Sequence, residues 1–192
     1  MSILKKGIFT LNLGLLQIQT EISEEDRQCA WELYTEICTR LALTGKKKDP
    51  ECKDFSGEVL IESLESVYSF FKEARKIMRK FPVGKLERNV RKHLGVLIND
   101  LMVNVLRPFL EKWQADFRHW WNNCDENLKK LPPFERQKKY PRYKEFINDW
   151  RNMRLLMREL QKELVKAYLL VDVDKASRFL PMNRCEVKKR RI

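Results

Sequence analysis

Asp100 and Arg107 are the two residues whose types and positions suit catalysis best. Asp100 lies in an apolar stretch, and Arg107 follows seven residues later, about two helical turns further along. A carboxylate in such a place is a candidate acid or base. Pairing of the carboxylate with an arginine for structural reasons is the interpretation that we favour.

The two histidines do not add a reaction centre. His93 and His119 are 26 residues apart, which is about 39 Å in a straight helix. The sequence also contains no Gly-rich phosphate-binding loop, no metal-binding histidine pair at helical spacing and no nucleophile elbow. These observations predict a non-enzymatic protein without a metal or another cofactor.

The five cysteines are scattered along the chain. Cys29 and Cys38 fall in one predicted helix, on opposite sides of its axis and about 13 Å apart along it. They therefore cannot share a metal ion. We expect free thiols in the reducing cytoplasm.

A row of cations on the last predicted helix is the strongest binding signal. Its members are Arg151, Arg154, Arg158, Lys162 and Lys166. A second basic cluster near the C-terminus consists of Lys188, Lys189, Arg190 and Arg191. Such cations attract phosphates or acidic proteins, less strongly as salt screens them. The alternative is that they are solvated charges without a partner.

The net charge of +12 is also unevenly spread. Cations crowd the end of the second predicted helix, at Lys72, Arg75, Lys76, Arg79 and Lys80. If the helices alternate in direction, this end, the link 83–93 and the C-terminal tail meet at one basic pole. Cations in the last turn of a helix also complement its dipole, so the pole alone does not show a partner.

An apolar seam on the same last helix predicts the architecture. It consists of Phe146, Trp150, Met153, Met157, Leu160, Leu164, Ala167 and Val171. Spacings of three and four residues place all of them on one side of a helix over about 142–171, with the cationic row on the opposite side. We therefore expect a helix that packs inward along the seam and presents positive charge outward.

Three more helices are predicted, over about 23–43, 58–80 and 85–122. Ser23 and Asp26 suggest a capping box at the first start, and Pro108 predicts a bend in the third helix. The predicted inner face of the first helix is Trp31, Tyr34, Ile37, Cys38 and Leu41. That of the second is Ile61, Leu64, Tyr68, Phe71, Ala74 and Met78.

The fold class is accordingly all-α, an antiparallel four-helix bundle with a bent long third helix and a small N-terminal β element. Alternating residues on both sides of Gly14 predict a hairpin or two extended strands that lean on the helices. The expected organisation is a β segment over 1–22, a bundle over 23–172 and a basic tail over 173–192. No apolar stretch is long enough to span a membrane, so we expect a cytoplasmic protein.

Aromatic residues are dense near the end of the third helix. Trp113, Phe117 and Trp120 have the spacing of a buried face, whereas Trp121 lies off that face. Aromatic rings beside cations can stack on unpaired bases. Core packing is the interpretation that we favour.

Three segments resemble a family of small all-helical bacterial proteins without assigned chemistry. They are Trp31–Tyr34, Ser66–Ile77 and Val105–Trp113, and the resemblance extends over about residues 25–172. Carried over to this sequence, the resemblance marks Arg107, Pro108, Lys112 and Trp113. These residues form either a docking surface or the bend of a long helix, and we favour the bend. Gln114 departs from the family's usual histidine. The resemblance implies a helical fold and a loose association with bacterial anti-phage defence neighbourhoods.

The sequence thus predicts an interaction or scaffold protein that acts within a bacterial multi-protein system, with a protein partner or self-association. The alternative is a helical protein that binds RNA or single-stranded DNA through Arg151, Arg154, Arg158, Lys162, Lys166 and the basic pole. An enzyme that uses Asp100 and Arg107 is a third, less favoured hypothesis.

Overall fold

The described residues fold mainly into helices, with one small antiparallel sheet. The computed structural model describes residues 3–13, 22–80 and 94–173. The two strands are β1 (Ile3–Lys6) and β2 (Phe9–Asn12). The helices are α1 (Glu24–Cys38), α2 (Leu41–Thr44), α3 (Leu60–Lys80), α4 (Leu94–Leu101), a π-helical segment (Met102–Leu106), α5 (Arg107–Asn123), α6 (Glu126–Lys129), α7 (Pro133–Gln137) and α8 (Tyr143–Tyr168).

The N-terminal hairpin exists, but its turn differs from the predicted one. β1 and β2 pair antiparallel with Leu4 opposite Leu11, and the turn lies at Gly7. Gly7 has a φ of +58°, and a Cβ there would come within 2.7 Å of the Asn152 side chain on α8. The positive φ of the turn favours glycine, and a larger residue there would displace the end of the Asn152 side chain. The predicted turn at Gly14 lies outside the described residues.

The hairpin packs on the helices, as expected. Phe9 and Leu11 of β2 are fully buried, whereas Ile3 of β1 is exposed. β2 contacts α4, the π-helical segment and α8. One face of β2 therefore belongs to the same apolar core as the helices.

α1 begins as predicted and ends earlier. The Ser23 hydroxyl accepts a hydrogen bond from the Asp26 backbone N–H at 3.1 Å, which is the expected cap. α1 ends at Cys38, and Arg40 adopts an extended conformation before the separate turn of α2. Leu41, predicted to be inside, is 46% exposed in consequence.

The buried face of α1 is also rotated from the predicted one. Its buried side chains are Cys29, Ala30, Leu33, Tyr34 and Ile37. Trp31 and Cys38 are half-buried. Because α1 packs against both α3 and α8, its buried face is wider than a single stripe.

α3 has nearly its predicted length, but a different face is inside. Its buried residues are Leu60, Leu64, Val67, Phe70, Ala74 and Ile77. Tyr68 is exposed, and Ile61, Phe71 and Met78 are half-buried, although all four were predicted to be inside. α3 carries two adjacent apolar stripes, so periodicity alone could not decide which one faces the core.

The third predicted helix is interrupted just before Pro108. The described part begins at Leu94, and the predicted start at residue 85 lies outside it. The Arg107 N–H donates to the Met102 carbonyl, five residues back, in the π-helical segment. Pro108 has no N–H and cannot make the regular α-helical hydrogen bond. The change from α-helical to π-helical hydrogen bonding therefore lies next to a residue that would interrupt the α-helical pattern anyway.

α8 confirms the predicted seam. Phe146, Trp150, Met153, Met157, Leu160, Leu164 and Ala167 are all buried. α8 ends at Tyr168, and Leu169 adopts a left-handed conformation. Val171, predicted as the last residue of the seam, is 63% exposed because the helix stops before it.

The long helices share one core. α1 contacts α3 and α8, and α5 also contacts α3 and α8. α2 packs on α8 and α3. Among the described residues, no helix is long and apolar enough to cross a bilayer.

Candidate functional site

The prediction that the row of cations on α8 faces outward is wrong for the N-terminal part of the row. Arg154 is 0% exposed, and its Nη2 lies 2.5 Å from Oε2 of Glu58, which is also buried. Its Nε donates to the Ala42 carbonyl at 3.2 Å, and its guanidinium lies 4.1 Å from the centre of the Phe55 ring. Arg154 is therefore a buried structural residue and not a surface cation.

Arg158 and Arg151 flank Arg154 and hold the same segment. Arg158 donates to the carbonyls of Thr44, Lys46 and Asp49 at 2.5, 2.7 and 2.6 Å. Arg151 Nε donates to the Glu51 carbonyl at 2.8 Å. We call Arg151, Arg154 and Arg158, together with the segment 42–58 that they hold, the arginine clamp.

The C-terminal part of the row is as predicted. Lys162 and Lys166 are exposed, and Lys162 lies 2.7 Å from Glu159. The change from arginine to lysine along the row marks the place where burial ends. Arginine presents five donors in a fixed fork, which suits several carbonyls at once, whereas lysine prefers full hydration. This difference is the sequence signal that could have identified the clamp.

Two of the four residues that the family resemblance marks, Lys112 and Trp113, lie at the interface between α5 and α8. Lys112 Nζ lies 2.7 Å from Glu145 and 2.8 Å from Asp149. The Trp113 indole N–H donates to the same Asp149 oxygen at 3.1 Å, and Trp113 is fully buried. Burial lowers the pKa of Lys112, but the hydrogen bonds to Asp149 and Glu145 outweigh this and raise it overall.

Asp100 and Arg107 do not form the predicted ion pair within the described part of the chain. Asp100 accepts hydrogen bonds from the Asn12 backbone N–H at 3.0 Å and from the Asn104 amide at 2.6 Å. It thereby fixes the end of β2 to α4. Arg107 takes no part in these contacts. It is exposed and lines one wall of the groove described below.

The aromatic cluster packs in the core, as favoured, although Trp120, predicted to be inside, is only half-buried. Trp113 and Phe117 are fully buried, and the Phe117 ring lies 5.0 Å from that of Tyr140. Trp121 is half-buried, and the Arg136 guanidinium lies 4.0 Å from its ring centre. Arg136 covers one face of this ring, and the Phe117 and Trp120 ring centres lie 5.9 and 6.3 Å from it, so Trp121 packs within the aromatic cluster.

The second apolar stripe of α3 faces the outer side of α4, the π-helical segment and α5 across an open groove. The groove has a volume of about 900 Å³. We call it the α3–α5 groove. It is lined by Tyr68, Phe71, Arg75, Met78, Asn99, Met102, Val103, Arg107, Leu110, Glu111, Gln114, Ala115 and Arg118.

The groove has an apolar floor with exposed apolar edges. Met102 and Leu110 are buried at its base, whereas Tyr68 is 39% and Val103 38% exposed. The lining extends from Tyr68 to Met78 along α3, about 15 Å of helix. Single exposed apolar residues are common, but an aligned set on two facing helices is typical of an interaction surface.

The charge of the groove is positive. Arg75 comes from α3, and Arg107 and Arg118 come from α5, with Glu111 as the one acidic residue of its lining. Arg118 lies 3.3 Å from Glu65. Arg75 and Arg107 form no ion pair with any other residue that the structure describes. Two exposed guanidinium groups are therefore available to an acidic ligand.

The groove offers few groups for a reaction. Its described lining contains one carboxylate and one tyrosine hydroxyl, and no histidine, cysteine or serine. The described cysteines are free thiols, and burial raises the pKa of Cys29 and Cys52. Within the described ranges, no cluster of side chains could hold a metal ion. The arrangement is suited to binding.

The predicted basic tail cluster, Lys188, Lys189, Arg190 and Arg191, lies outside the described residues, as does most of the predicted tail. Comparisons of the chain with family models, with curated proteins and with solved structures found no match. The geometry of the α3–α5 groove and the charges around it are therefore the main indications of function.

Proposed function

We propose that this protein is a non-enzymatic interaction or scaffold protein that receives a partner in the α3–α5 groove. We further propose that α1, α3, the α4–α5 unit and α8 act as an antiparallel four-helix bundle that keeps the groove open. The observation that supports the proposal best is the second apolar stripe of α3, which faces Val103 and Leu110 across the groove. A partner would remove this apolar surface from water.

The scaffold is suited to this role because its walls are fixed from behind. Phe70 and Ile77 anchor α3 in the core on the side away from the groove. Lys112 and Trp113 tie α5 to Asp149 of α8. A groove with walls held in this way needs little reorganisation on binding, which favours affinity. The resemblance to bacterial helical proteins adds a bacterial multi-protein system, with a link to anti-phage defence, as the proposed setting.

The test uses peptides selected from a random display library against the whole chain. Val103→Glu is the groove variant, since Val103 is already exposed and the change should not disturb the core. Ile8→Glu, in the exposed hairpin turn, is the matched control. We expect selected peptides to bind about tenfold or more weakly to Val103→Glu, by fluorescence anisotropy, and equally well to Ile8→Glu. Failure to select any peptide that Val103→Glu affects would contradict the proposal.

Nucleic-acid binding is a second candidate, supported by exposed lysines. Lys162 and Lys166 are exposed on α8, as is Lys144 at its start, and the connector before α8 exposes more, at Lys129, Lys130, Lys138 and Lys139. Binding of labelled single-stranded RNA should weaken steeply with salt and fall in Lys162→Glu/Lys166→Glu. Arg154 and Arg158 are unsuitable for this test because they hold the clamp. RNA affinity that is unchanged in the double variant would exclude α8 as the contact.

A further inference from the structure

We propose that the ligand of the α3–α5 groove is an acidic amphipathic helix of a partner protein. This inference depends on the proposed function above and specifies the chemistry of its partner. The apolar side of the helix would lie on Met102 and Leu110, and its carboxylates would pair with Arg75 and Arg107 on opposite walls. Each element of this arrangement follows from the described groove.

The walls of the groove favour a helix over a strand. A bound strand needs a free sheet edge with unpaired N–H and C=O groups, and both walls are helices whose backbone bonds are internal. A helix needs instead a row of apolar contacts between two ridges. Tyr68 and Phe71 provide one ridge, and Val103 belongs to the other wall.

The length of the groove fits a helix of several turns. One wall extends from Tyr68 to Met78, about 15 Å, and the other from Asn99 to Arg118, about 28 Å. A helix of about 10–19 residues has the same length at 1.5 Å per residue. Such a helix presents apolar residues at spacings of three and four along the floor.

The charges around the floor favour an acidic ligand. Arg75 and Arg107 are exposed on the two walls and lack ion-pair partners among the described residues. A guanidinium holds a carboxylate through two parallel hydrogen bonds. Carboxylates along both sides of a bound helix would thus meet one arginine on each wall, and this also fixes how the helix lies in the groove.

Two other occupants suit the groove less well. A second copy of this chain carries the same net charge of +12 and would be repelled from a basic groove at long range. A nucleic acid would bring phosphates to a floor of methionine and leucine, which cannot hydrogen-bond to them. The apolar floor together with the basic walls therefore matches an acidic amphipathic helix best.

The experiment begins with the peptides selected above, in a library of 16-residue sequences. We expect the peptides that Val103→Glu weakens to be acidic, with apolar residues at helical spacing, and to bind less tightly as salt increases. Their affinity should fall about tenfold or more in Arg75→Glu/Arg107→Glu. A version of the peptide with its Glu replaced by Lys should bind the double variant better than the wild-type chain. Lys162→Glu/Lys166→Glu is the control that changes the total charge equally, and it should keep the affinity within about twofold.

The outcomes separate this inference from the proposed function. Groove-dependent peptides that are neutral or basic, or that ignore Arg75→Glu/Arg107→Glu, would overturn the acidic helix and leave the interaction site intact. Dimers in light scattering that Val103→Glu dissociates would identify a second copy as the occupant and would also overturn it. Displacement of the peptide by single-stranded RNA at equal concentration would assign the groove to nucleic acid. A library without groove-dependent peptides would contradict the proposed function itself.

Discussion

The arginine clamp and the α3–α5 groove use the same residue type in opposite ways. In the clamp, Arg154 and Arg158 are directed at Glu58 and at backbone carbonyls of the segment 42–58. In the groove, Arg75 and Arg107 are exposed and without an ion-pair partner among the described residues. The difference is the covering segment: where the chain folds back over the arginines they become structural, and where it does not they remain available to a ligand.

The two regions also differ in how they treat apolar surface. In the clamp, Phe55 lies under Arg154 and its ring centre is 6.1 Å from that of Trp150, so the apolar surface of α8 is covered. In the groove, Tyr68 and Val103 keep more than a third of their surface exposed. The clamp is therefore an example, within the same molecule, of arginines and apolar side chains that are covered by another segment of the chain.

The largest expected effect separates the two regions by stability. Arg154→Met should lower the free energy of unfolding by about 3–5 kcal/mol, because it leaves the Glu58 carboxylate buried without its partner. Arg107→Met in the groove should change it by less than about 0.5 kcal/mol. Urea denaturation followed by circular dichroism measures both.

A double variant tests the reason given for that effect. Arg154→Met/Glu58→Gln should lose less stability than Arg154→Met alone, since no buried charge then lacks a partner. Equal losses in Arg154→Met and Arg107→Met would show that the clamp and the groove do not differ as described.

The second prediction concerns the shape of the guanidinium. Arg158→Lys should cost about 1–3 kcal/mol, because an ammonium group cannot reach three carbonyls in the geometry of the fork. Arg118→Lys, the matched change at the exposed groove pair with Glu65, should cost less than about 0.5 kcal/mol. Thermal or urea unfolding of the two variants provides the comparison, and a harmless Arg158→Lys would mean that charge alone holds the segment.

The sequence was sufficient where one apolar stripe dominates a helix. The seam of α8 from Phe146 to Ala167 is buried as predicted, and Ser23 caps α1 as predicted. α3 has two adjacent apolar stripes, and only the packing of its neighbours decides that Phe70 is inside while Phe71 lines the groove. The groove therefore could not be found before the helices were assembled.

The clamp was missed for a related reason. A helical projection places Arg154 about 90° and Arg158 about 130° from the centre of the seam, but it does not show that a distant segment covers that side. The segment 45–56, with its glycine, lysines and proline, has the composition of a solvated loop, and its contacts with α8 span about a hundred residues of sequence. Such long-range packing is not encoded in local periodicity, although the choice of arginine over lysine is a usable sign of it.

The third prediction concerns the backbone conformation of Gly45, beside Arg154. Gly45 has a φ of +65° and a ψ of −172°, which is a conformation that only glycine adopts readily. A Cβ there would lie 3.4 Å from the Arg154 side chain, which is an ordinary van der Waals contact. Gly45→Ala should therefore cost about 1–3 kcal/mol through the backbone.

Gly57→Ala is the comparison for this effect. Gly57 also has a positive φ, of +78°, and a Cβ there would meet no described atom within 4 Å. Neither substitution creates a steric clash, so both should destabilise the chain through the backbone in urea unfolding. A Gly45→Ala variant that unfolds like the wild-type chain would contradict the prediction.

The smallest expected effect is a pH dependence that belongs to the clamp and not to the groove. The Lys46 ammonium and then the Ser56 hydroxyl hydrogen-bond to Asp54 in the clamped segment, and they hold the pKa of its carboxyl well below the usual value of about 3.9. Because the folded-state pKa is depressed, this contribution to stability is present above pH 3.9 and is lost as the pH falls below it. Carboxyl titration by NMR should give a low midpoint for Asp54 that rises in Lys46→Met. The described lining of the groove contains no histidine, so peptide binding there should stay level between pH 6 and 8. A midpoint unaffected by Lys46→Met would contradict the first expectation, and a step in binding near neutral pH would contradict the second.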